Sequence, residues 1–211
     1  MRTPAAPIAL IDYGAGNLRS AERALIAAGA GDVRVTSDPE IVLRAERIVL
    51  PGQGAFKDCM EGLLARPGLR EALEEAVCAK ARPFLGICVG MQLLAAEGHE
   101  HGVTLGLGWI GGICRPLEAG AERLPHMGWN EVRPIAAHPV LDGLTPAAAC
   151  YFAHSYVLAP ADPARIAAWT EHGERFASAV AHDNIVGVQF HPEKSQRAGL
   201  ALLARFLDWK P

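Results

Sequence analysis

Short apolar runs alternate with amphipathic segments through the first half of the chain, and this alternation predicts strands and helices in turn. Buried strands are predicted at residues 8–11, 33–36, 47–50 and 84–87. Helical periodicity is found at residues 17–28, 69–81 and 90–96. Strands that alternate with helices are typical of a mostly parallel sheet covered by helices on both faces, so we expect an α/β fold.

The second half of the chain, from residue 106 to 187, is rich in glycine, proline and aromatic residues. Its apolar segments predict strands at residues 150–158, 166–170, 176–181 and 185–190, followed by a helix at 198–209. Hairpin-like connections between these strands indicate antiparallel pairing. We therefore expect one domain over residues 1–211, with a mostly parallel central sheet flanked by helices and an additional small antiparallel sheet.

Composition narrows the class of protein without identifying a function. The 211 residues are 50% hydrophobic and 20% charged, with a net charge of −3, which is typical of a globular protein that buries its own core. Lysine and arginine form no conspicuous run, so we expect no nucleic-acid partner. The apolar stretch that ends before Asp12 is too short for a secretory leader or a membrane span.

The five cysteines are odd in number and irregularly spaced, with no C-x-x-C pair and no Cys/His spacing suited to zinc. We therefore expect no metal and no cofactor, and thiols kept reduced in the cytoplasm. Four of the cysteines are expected to be buried as small apolar side chains: Cys59, Cys78, Cys114 and Cys150.

Cys88 differs from the other four because it lies between a predicted strand and a predicted helix, in the sequence Gly86-Ile87-Cys88-Val89-Gly90. This G-x-nucleophile-x-G pattern predicts a nucleophile elbow, in which the glycines allow a sharp turn that exposes the thiol. The helix N-terminus favours a thiolate, and the backbone N–H of Val89 points to where an oxyanion would form. An ordinary buried thiol is the alternative.

His191 is the best candidate for the base that such a thiol needs. It ends an apolar strand and is followed by Pro192 and Glu193. Residues two apart in an extended segment face the same side, and proline disfavours helical angles at the residue before it. Glu193 can then accept the second N–H of the His191 ring and fix its tautomer. A structural hydrogen bond is the alternative for His191, and the histidines His126 and His154, in aromatic-rich stretches, are structural or contact candidates.

Two further features are expected at the same sheet edge. The sequence of residues 51–54, PGQG, ends a predicted strand, and neighbouring parallel strands end on one edge. Its loop should face the elbow and supply a second oxyanion donor from Gly52 or Gln53, although a plain turn is the alternative. Gln92 lies four residues after Cys88, on the same helix face. Its amide is suited to form a hydrogen bond either with a polar substrate or with another group of the protein.

Together, residues 86–92 (GICVGMQ) and 191–193 (HPE) resemble the class I, triad-type glutamine amidotransferases. Further motifs are similar to those of the glutaminase subunits of imidazole glycerol phosphate synthase, and they lie at residues 12–18, 51–56, 126–130, 151–156 and 187–195. The resemblance covers nearly the whole chain. It implies that Cys88 forms a γ-glutamyl thioester with glutamine, that His191 protonates the departing ammonia and then activates water, and that Glu193 orients His191.

The resemblance also implies the remaining site residues and a partner. Gly52 and Val89 would donate to the oxyanion, and Gln92, Ser155 and Tyr156 would hold L-glutamine. A HisF-type (β/α)₈-barrel cyclase subunit would form a heterodimer with this chain and use the ammonia in histidine biosynthesis. Aromatic enrichment at interfaces supports a docking face, with the candidates Tyr13, Asn17, Trp129, Asn130, Tyr151 and Lys194. Core packing for the aromatic residues and a solvated charge for the lysine are the alternatives.

Other interpretations stay open at this point. The chain could serve the synthesis of anthranilate, GMP or pyridoxal phosphate within the same class, although Gly90-Met91-Gln92 and Gly128-Trp129-Asn130 favour the branch named above. An ester-cleaving α/β-hydrolase is opposed by the cysteine nucleophile and by an acid that follows the histidine. A regulatory subunit without catalysis is opposed by the intact cysteine, histidine and glutamate.

Overall fold

The structure is a computed structural model that describes residues 7–135, 137–144 and 148–211, so the first six residues lie outside it. The strands are β1 (Ile8–Ile11), β2 (Val33–Thr36), β3 (Arg47–Gly52), β4 (Phe84–Cys88), β5 (Glu97–Gly98), β6 (Thr104–Leu105), β7 (Ile113–Pro116), β8 (His126–Pro134), β9 (Ala148–His154), β10 (Tyr156–Ala159), β11 (Ile166–His172), β12 (Glu174–His182) and β13 (Ile185–Val188). The α-helices are α1 (Leu18–Ala27), α2 (Pro39–Arg44), α3 (Phe56–Leu64), α4 (Leu69–Glu74), α5 (Val89–Gln92) and α6 (Gln196–Asp208).

One large mixed sheet contains nine of these strands, in the order β2-β1-β3-β4-β13-β12-β11-β8-β9. Its first five strands are parallel and its remaining pairs are antiparallel. Every residue of β1, β4 and β13 is buried, as expected for parallel strands between helical layers. The predicted α/β fold with a parallel core is confirmed. The antiparallel strands, however, extend the same sheet, so it is parallel in only one half.

A second, smaller sheet has the order β10-β7-β5-β6 and is mixed, because β5 and β7 are parallel while its other pairs are antiparallel. The single strand predicted at residues 150–158 is in fact divided between the two sheets. The division falls at Ser155, whose carbonyl accepts a hydrogen bond from Leu117 N at 2.9 Å. The apolar pattern runs through this corner unchanged, which is why it predicted one strand.

The predicted helices differ from the observed ones mainly at their C-terminal ends. Asn17 caps α1 by accepting a hydrogen bond from Ser20 N at 3.3 Å. The helix predicted at 69–81 is α-helical only to Glu74 and continues as the π-helical turn Glu75–Ala79. The helix predicted at 90–96 ends at Gln92, because the next carbonyls, of Leu93 and Leu94, accept hydrogen bonds from residues 107 and 110 instead of from the helix.

Three of the four thiols that were expected to be buried are buried. The fourth, Cys78, is exposed, because Ala76 and Val77 take the inner side of the π-helical turn. All five cysteines are free thiols. None of the helices in the described ranges is long and apolar enough to span a membrane.

Candidate active site

The elbow places Cys88 at the end of β4, which lies between β3 and β13 in the parallel half of the sheet. Its backbone angles are φ 54° and ψ −114°, so the chain turns abruptly from strand to helix at this residue. A positive φ is strained for a residue other than glycine, and such strain is concentrated at functional sites. The turn does not expose the thiol as the sequence predicted, because Cys88 is only 3% exposed.

Three glycines allow the elbow to lie directly against β3. A Cβ atom on Gly86 would lie 2.6 Å from the carbonyl oxygen of Gly90, and one on Gly52 would lie 2.5 Å from the nitrogen of Gly90. A Cβ on Gly90 would overlap the carbonyl oxygen of Leu50. None of these three glycines has a left-handed φ, so they are needed for close backbone approach and not for their dihedral freedom.

The helix after the elbow is shorter than predicted, and this changes the electrostatic argument for the thiolate. α5 contains four residues, from Val89 to Gln92, and few peptide dipoles therefore add up at its N-terminus. Stabilisation of a thiolate at Cys88 must then come mainly from a neighbouring positive charge. His191 is the side chain that supplies it.

His191 lies beside Cys88 and is paired with Glu193, as expected. Its ring Nδ1 is 2.8 Å from Oε1 of Glu193, and both side chains are almost fully buried. The route of the chain differs from the prediction: β13 ends at Val188, His191 is extended, and Pro192–Lys194 form a 3₁₀ turn. Glu193 thus reaches back to the imidazole through a turn, and does not lie along a continuous strand.

Burial opposes a positive charge on His191, but the neighbouring Cys88 side chain and the hydrogen bond to Glu193 outweigh it and raise the pKa of His191 to about 9. The imidazolium form of His191 is therefore favoured at neutral pH, beside the Cys88 sulfur and the Glu193 side chain. An imidazolium at this position keeps a proton ready for a leaving group.

We expect His191 to titrate near pH 9 in the wild-type chain, and at lower pH in Cys88→Ala, because the variant lacks one of the two partners that raise its pKa. The imidazole resonances in an NMR titration measure both values. The raised pKa stabilises the fold fully below pH 6.5, and this contribution is lost as the pH rises from 6.5 to about 9. Cys78→Ala is the control, since that thiol is exposed. The same His191 pKa in Cys88→Ala and in the wild type would contradict the assignment.

The structure adds Gln189, which the sequence interpretation missed. Its side chain is fully buried, and its Nε2 donates to Sγ of Cys88 at 3.7 Å. Its Oε1 accepts from Nε2 of Gln92 at 3.1 Å. The signal was available, because Gln189 precedes His191 by two residues and period-two spacing places both on one face.

The residues that the resemblance assigned to glutamine lie together near the elbow. Nε2 of Gln92 also donates to the carbonyl oxygen of Tyr156 at 2.9 Å, which ties the α5 helix to the corner at Ser155 and Tyr156. Both of these residues are half-buried. Gln92 itself is 3% exposed, so it holds this corner in place as well as facing the site.

The predicted docking residues divide into two groups. Trp129, Tyr151 and Lys194 form one patch: Trp129 is 50% exposed, its ring meets that of Tyr151 edge-on at 6.1 Å, and the Lys194 ammonium lies 5.6 Å from the Tyr151 ring centroid. Asn130 follows Trp129 on β8 and is half-buried, and Asn17 is exposed at the start of α1.

Tyr13 does not fit the docking prediction. It is 2% exposed, and its hydroxyl donates to the carbonyl oxygen of Pro51 at 2.7 Å. Its burial shows the core packing that was the alternative for the aromatic residues. Tyr13 instead supports the end of β3, which continues through Pro51 and Gly52 beyond the predicted strand end at residue 50. Among the residues that the structure describes, no group of three His, Cys, Asp or Glu side chains is placed to bind a metal ion.

A family model described as class-I glutamine amidotransferase matches residues 9–209. The chain belongs to the class-I glutamine amidotransferase family. Within this family, the chain is similar to two proteins that are named imidazole glycerol phosphate synthase subunit HisH. The protein from Zymomonas mobilis is 54% identical, covering 97% of this chain and 96% of its own length. The protein from Caulobacter vibrioides is 51% identical, covering 97% and 99%.

Solved structures match this amidotransferase at the level of the fold. The chain titled PurLQS from Thermotoga maritima superposes with a TM-score of 0.72 at 17% identity, covering 96% of this chain and 97% of that one. In this amidotransferase the strained Cys88, the imidazole of His191 and the buried carboxyl group of Glu193 are neighbours at the carboxyl ends of the parallel strands.

Proposed function

We propose that this chain is the glutaminase subunit of an imidazole glycerol phosphate synthase. It hydrolyses glutamine to glutamate and ammonia and passes the ammonia to a cyclase subunit. The observation that carries the proposal is identity of about half of all positions, over nearly the full length, to proteins named as HisH subunits of that synthase. The arrangement of Cys88, His191 and Glu193 supports the catalytic part.

In the first half-reaction, the Cys88 thiolate attacks the side-chain amide carbon of glutamine. The imidazolium of His191 gives its proton to the departing nitrogen, so ammonia leaves and a γ-glutamyl thioester remains. His191, now neutral, takes a proton from water, and the resulting hydroxide attacks the thioester. The thiolate leaves with glutamate as the product, and His191 is again protonated. Glu193 holds the ring with its Nδ1 protonated throughout.

Both tetrahedral intermediates carry a negative oxygen above the elbow. The backbone N–H groups of Val89 and Gly52 are our candidates for stabilising it, and the contact of Gly52 with the elbow backbone supports the second. Gln92, Ser155 and Tyr156 are the candidates for holding the amino-acid part of glutamine, supported by the hydrogen bond that joins Gln92 to Tyr156.

The ammonia has to reach its acceptor unprotonated, because ammonium, the main form in neutral water, is not a nucleophile. This requirement favours a complex with a cyclase subunit, and we propose that the cyclase is a HisF-type (β/α)₈ barrel. We also propose that the complex is located in the cytoplasm. The patch of Trp129, Tyr151 and Lys194 is the candidate docking face, and Asn130 and Asn17 are further candidates for contact with the partner. Trp and Tyr side chains are enriched at protein interfaces and among binding hot spots.

We expect slow glutamate release by the isolated chain and an increase of roughly 5- to 150-fold when a HisF-type cyclase and its nucleotide substrate are added, the usual range for coupling between two sites. Coupled detection of glutamate measures both rates. Trp129→Ala should weaken the stimulation, while Leu64→Ala, a similarly exposed apolar residue on α3, should not. Full activity without a partner, or stimulation by an anthranilate or GMP synthase instead, would refute the proposal.

A further inference from the structure

Two buried histidines lie outside the catalytic triad and are joined directly to each other. Nδ1 of His126, on β8, is 2.9 Å from Nε2 of His154, on the paired strand β9. His126 is 4% exposed and His154 is 6% exposed. A buried imidazole destabilises the fold unless both of its nitrogens form hydrogen bonds. The two nitrogens that are not used within the pair, Nδ1 of His154 and Nε2 of His126, must therefore have other partners.

One end of the pair reaches the corner that faces the elbow. Nδ1 of His154 lies 3.0 Å from the carbonyl oxygen of Tyr156. The same oxygen accepts the amide of Gln92, and Gln92 in turn contacts Gln189. The other end reaches the surface, where Nε2 of His126 lies 3.1 Å from Nδ2 of Asn130. Asn130 lines an open cavity of about 580 Å³ together with Trp129 and His172.

The direction of each hydrogen bond that links Asn130, His126, His154 and Tyr156 can be determined. A carbonyl oxygen can only accept, so His154 carries its proton on Nδ1 and accepts on Nε2. His126 must therefore donate from Nδ1 and accept on Nε2 from the Asn130 amide. Burial keeps both rings neutral, because it lowers the pKa of His126 to about 4 and that of His154 to about 3. The Asn130 amide is itself fixed, because its Oδ1 accepts from Glu131 N at 2.7 Å and its Nδ2 donates to Glu171 O at 2.9 Å.

We propose that His126 and His154 are positioning residues for the binding of glutamine. The two imidazoles fix the position of the Tyr156 carbonyl group, which contacts Gln92, and they connect this carbonyl group to β8. The proposal rests on the glutaminase function proposed above. Neither ring touches the reacting atoms. Their effect is on the corner at Ser155 and Tyr156, where the chain leaves one sheet for the other between the last residue of β9 and the first residue of β10.

The test uses the complex with the cyclase, so that glutamine-dependent and ammonium-dependent synthesis are measured on one sample. His154→Phe keeps a ring of similar shape beside Phe152 and Phe176 but loses both hydrogen bonds. We expect KM for glutamine to rise about tenfold, kcat to change less than about twofold, and ammonium-dependent synthesis to stay normal, as for lost ground-state positioning. His154→Asn keeps a donor near the Nδ1 position and should recover most of the KM.

A second substitution separates positioning from general stability. His126→Phe leaves the hydrogen bond from His154 to Tyr156 in place and should raise KM less than His154→Phe does. This order of KM values is expected even if His126→Phe has the lower melting temperature. His138→Phe, at a half-buried histidine against Trp209, is the control and should leave KM unchanged. Equal KM values in the wild type and His154→Phe, or no recovery in His154→Asn, would overturn the proposal. A wild-type complex that released no ammonia would instead refute the proposed function.

Discussion

Replacement of Cys88 by alanine is expected to reduce ammonia release from glutamine by at least about 10⁴-fold, the scale seen when the nucleophile of a catalytic triad is removed. The thioester cannot form without the sulfur, and neither His191 nor Gln189 offers a substitute nucleophile. The fold should survive, because alanine is close in size to cysteine and the strained backbone angle at residue 88 becomes no worse. Glutamate formation by the complex, followed over hours, measures the residual rate.

The same sample contains its own control. Synthesis from added ammonium salts needs only the partner's site, so the Cys88→Ala complex should support it at the wild-type rate. Cys78→Ala, which removes the exposed thiol, should retain glutamine-dependent activity and thereby separate reactivity from accessibility. Normal ammonia release by Cys88→Ala would show that Cys88 is not the nucleophile, whereas a loss of ammonium-dependent synthesis would show that the substitution damages the complex.

The parts of this site that the sequence predicted are those encoded within a few residues. The elbow needs a strand, two glycines and a turn in direct succession, and all of them lie between Phe84 and Gln92. The pairing of His191 with Glu193 is equally local, although a 3₁₀ turn and not an extended strand brings it about. Short-range patterns of this kind depend on backbone sterics, which are determined by residues close together in the sequence.

The parts that were missed depend on contacts between distant segments. The early end of α5 follows from hydrogen bonds that residues 107 and 110 make to Leu93 and Leu94, and periodicity in residues 90–96 gave no sign of them. The division of one apolar run at Ser155 follows from pairing with β7 and β8. The bond between His126 and His154 follows from the register of β8 with β9, which no local pattern specifies.

Replacement of Glu193 by glutamine is the second change with a large expected effect. The two side chains have the same shape, and only one carboxylate oxygen, Oε1, is used by His191, while Oε2 is buried without a partner among the described residues. Glutamine can therefore place its oxygen at the same position and preserve the geometry. What is lost is the negative charge, and with it one of the two partners that raise the pKa of His191. Rotation of the amide would also present a donor to Nδ1 and select the wrong tautomer.

We therefore expect kcat for glutamine hydrolysis in the complex to fall about 10²- to 10⁴-fold in Glu193→Gln, by analogy with the loss of the orienting acid in serine proteases, and the pKa of His191 to fall with it. Glu174→Gln is the matched control, because Glu174 forms a two-point ion pair with Arg115 at 2.7 Å without taking part in the triad. It should lower the melting temperature and leave kcat near the wild-type value. If both variants lost activity only in proportion to their stability, Glu193 would be a structural carboxylate; a loss of kcat confined to Glu193→Gln assigns it the orientation and charge of the catalytic imidazole.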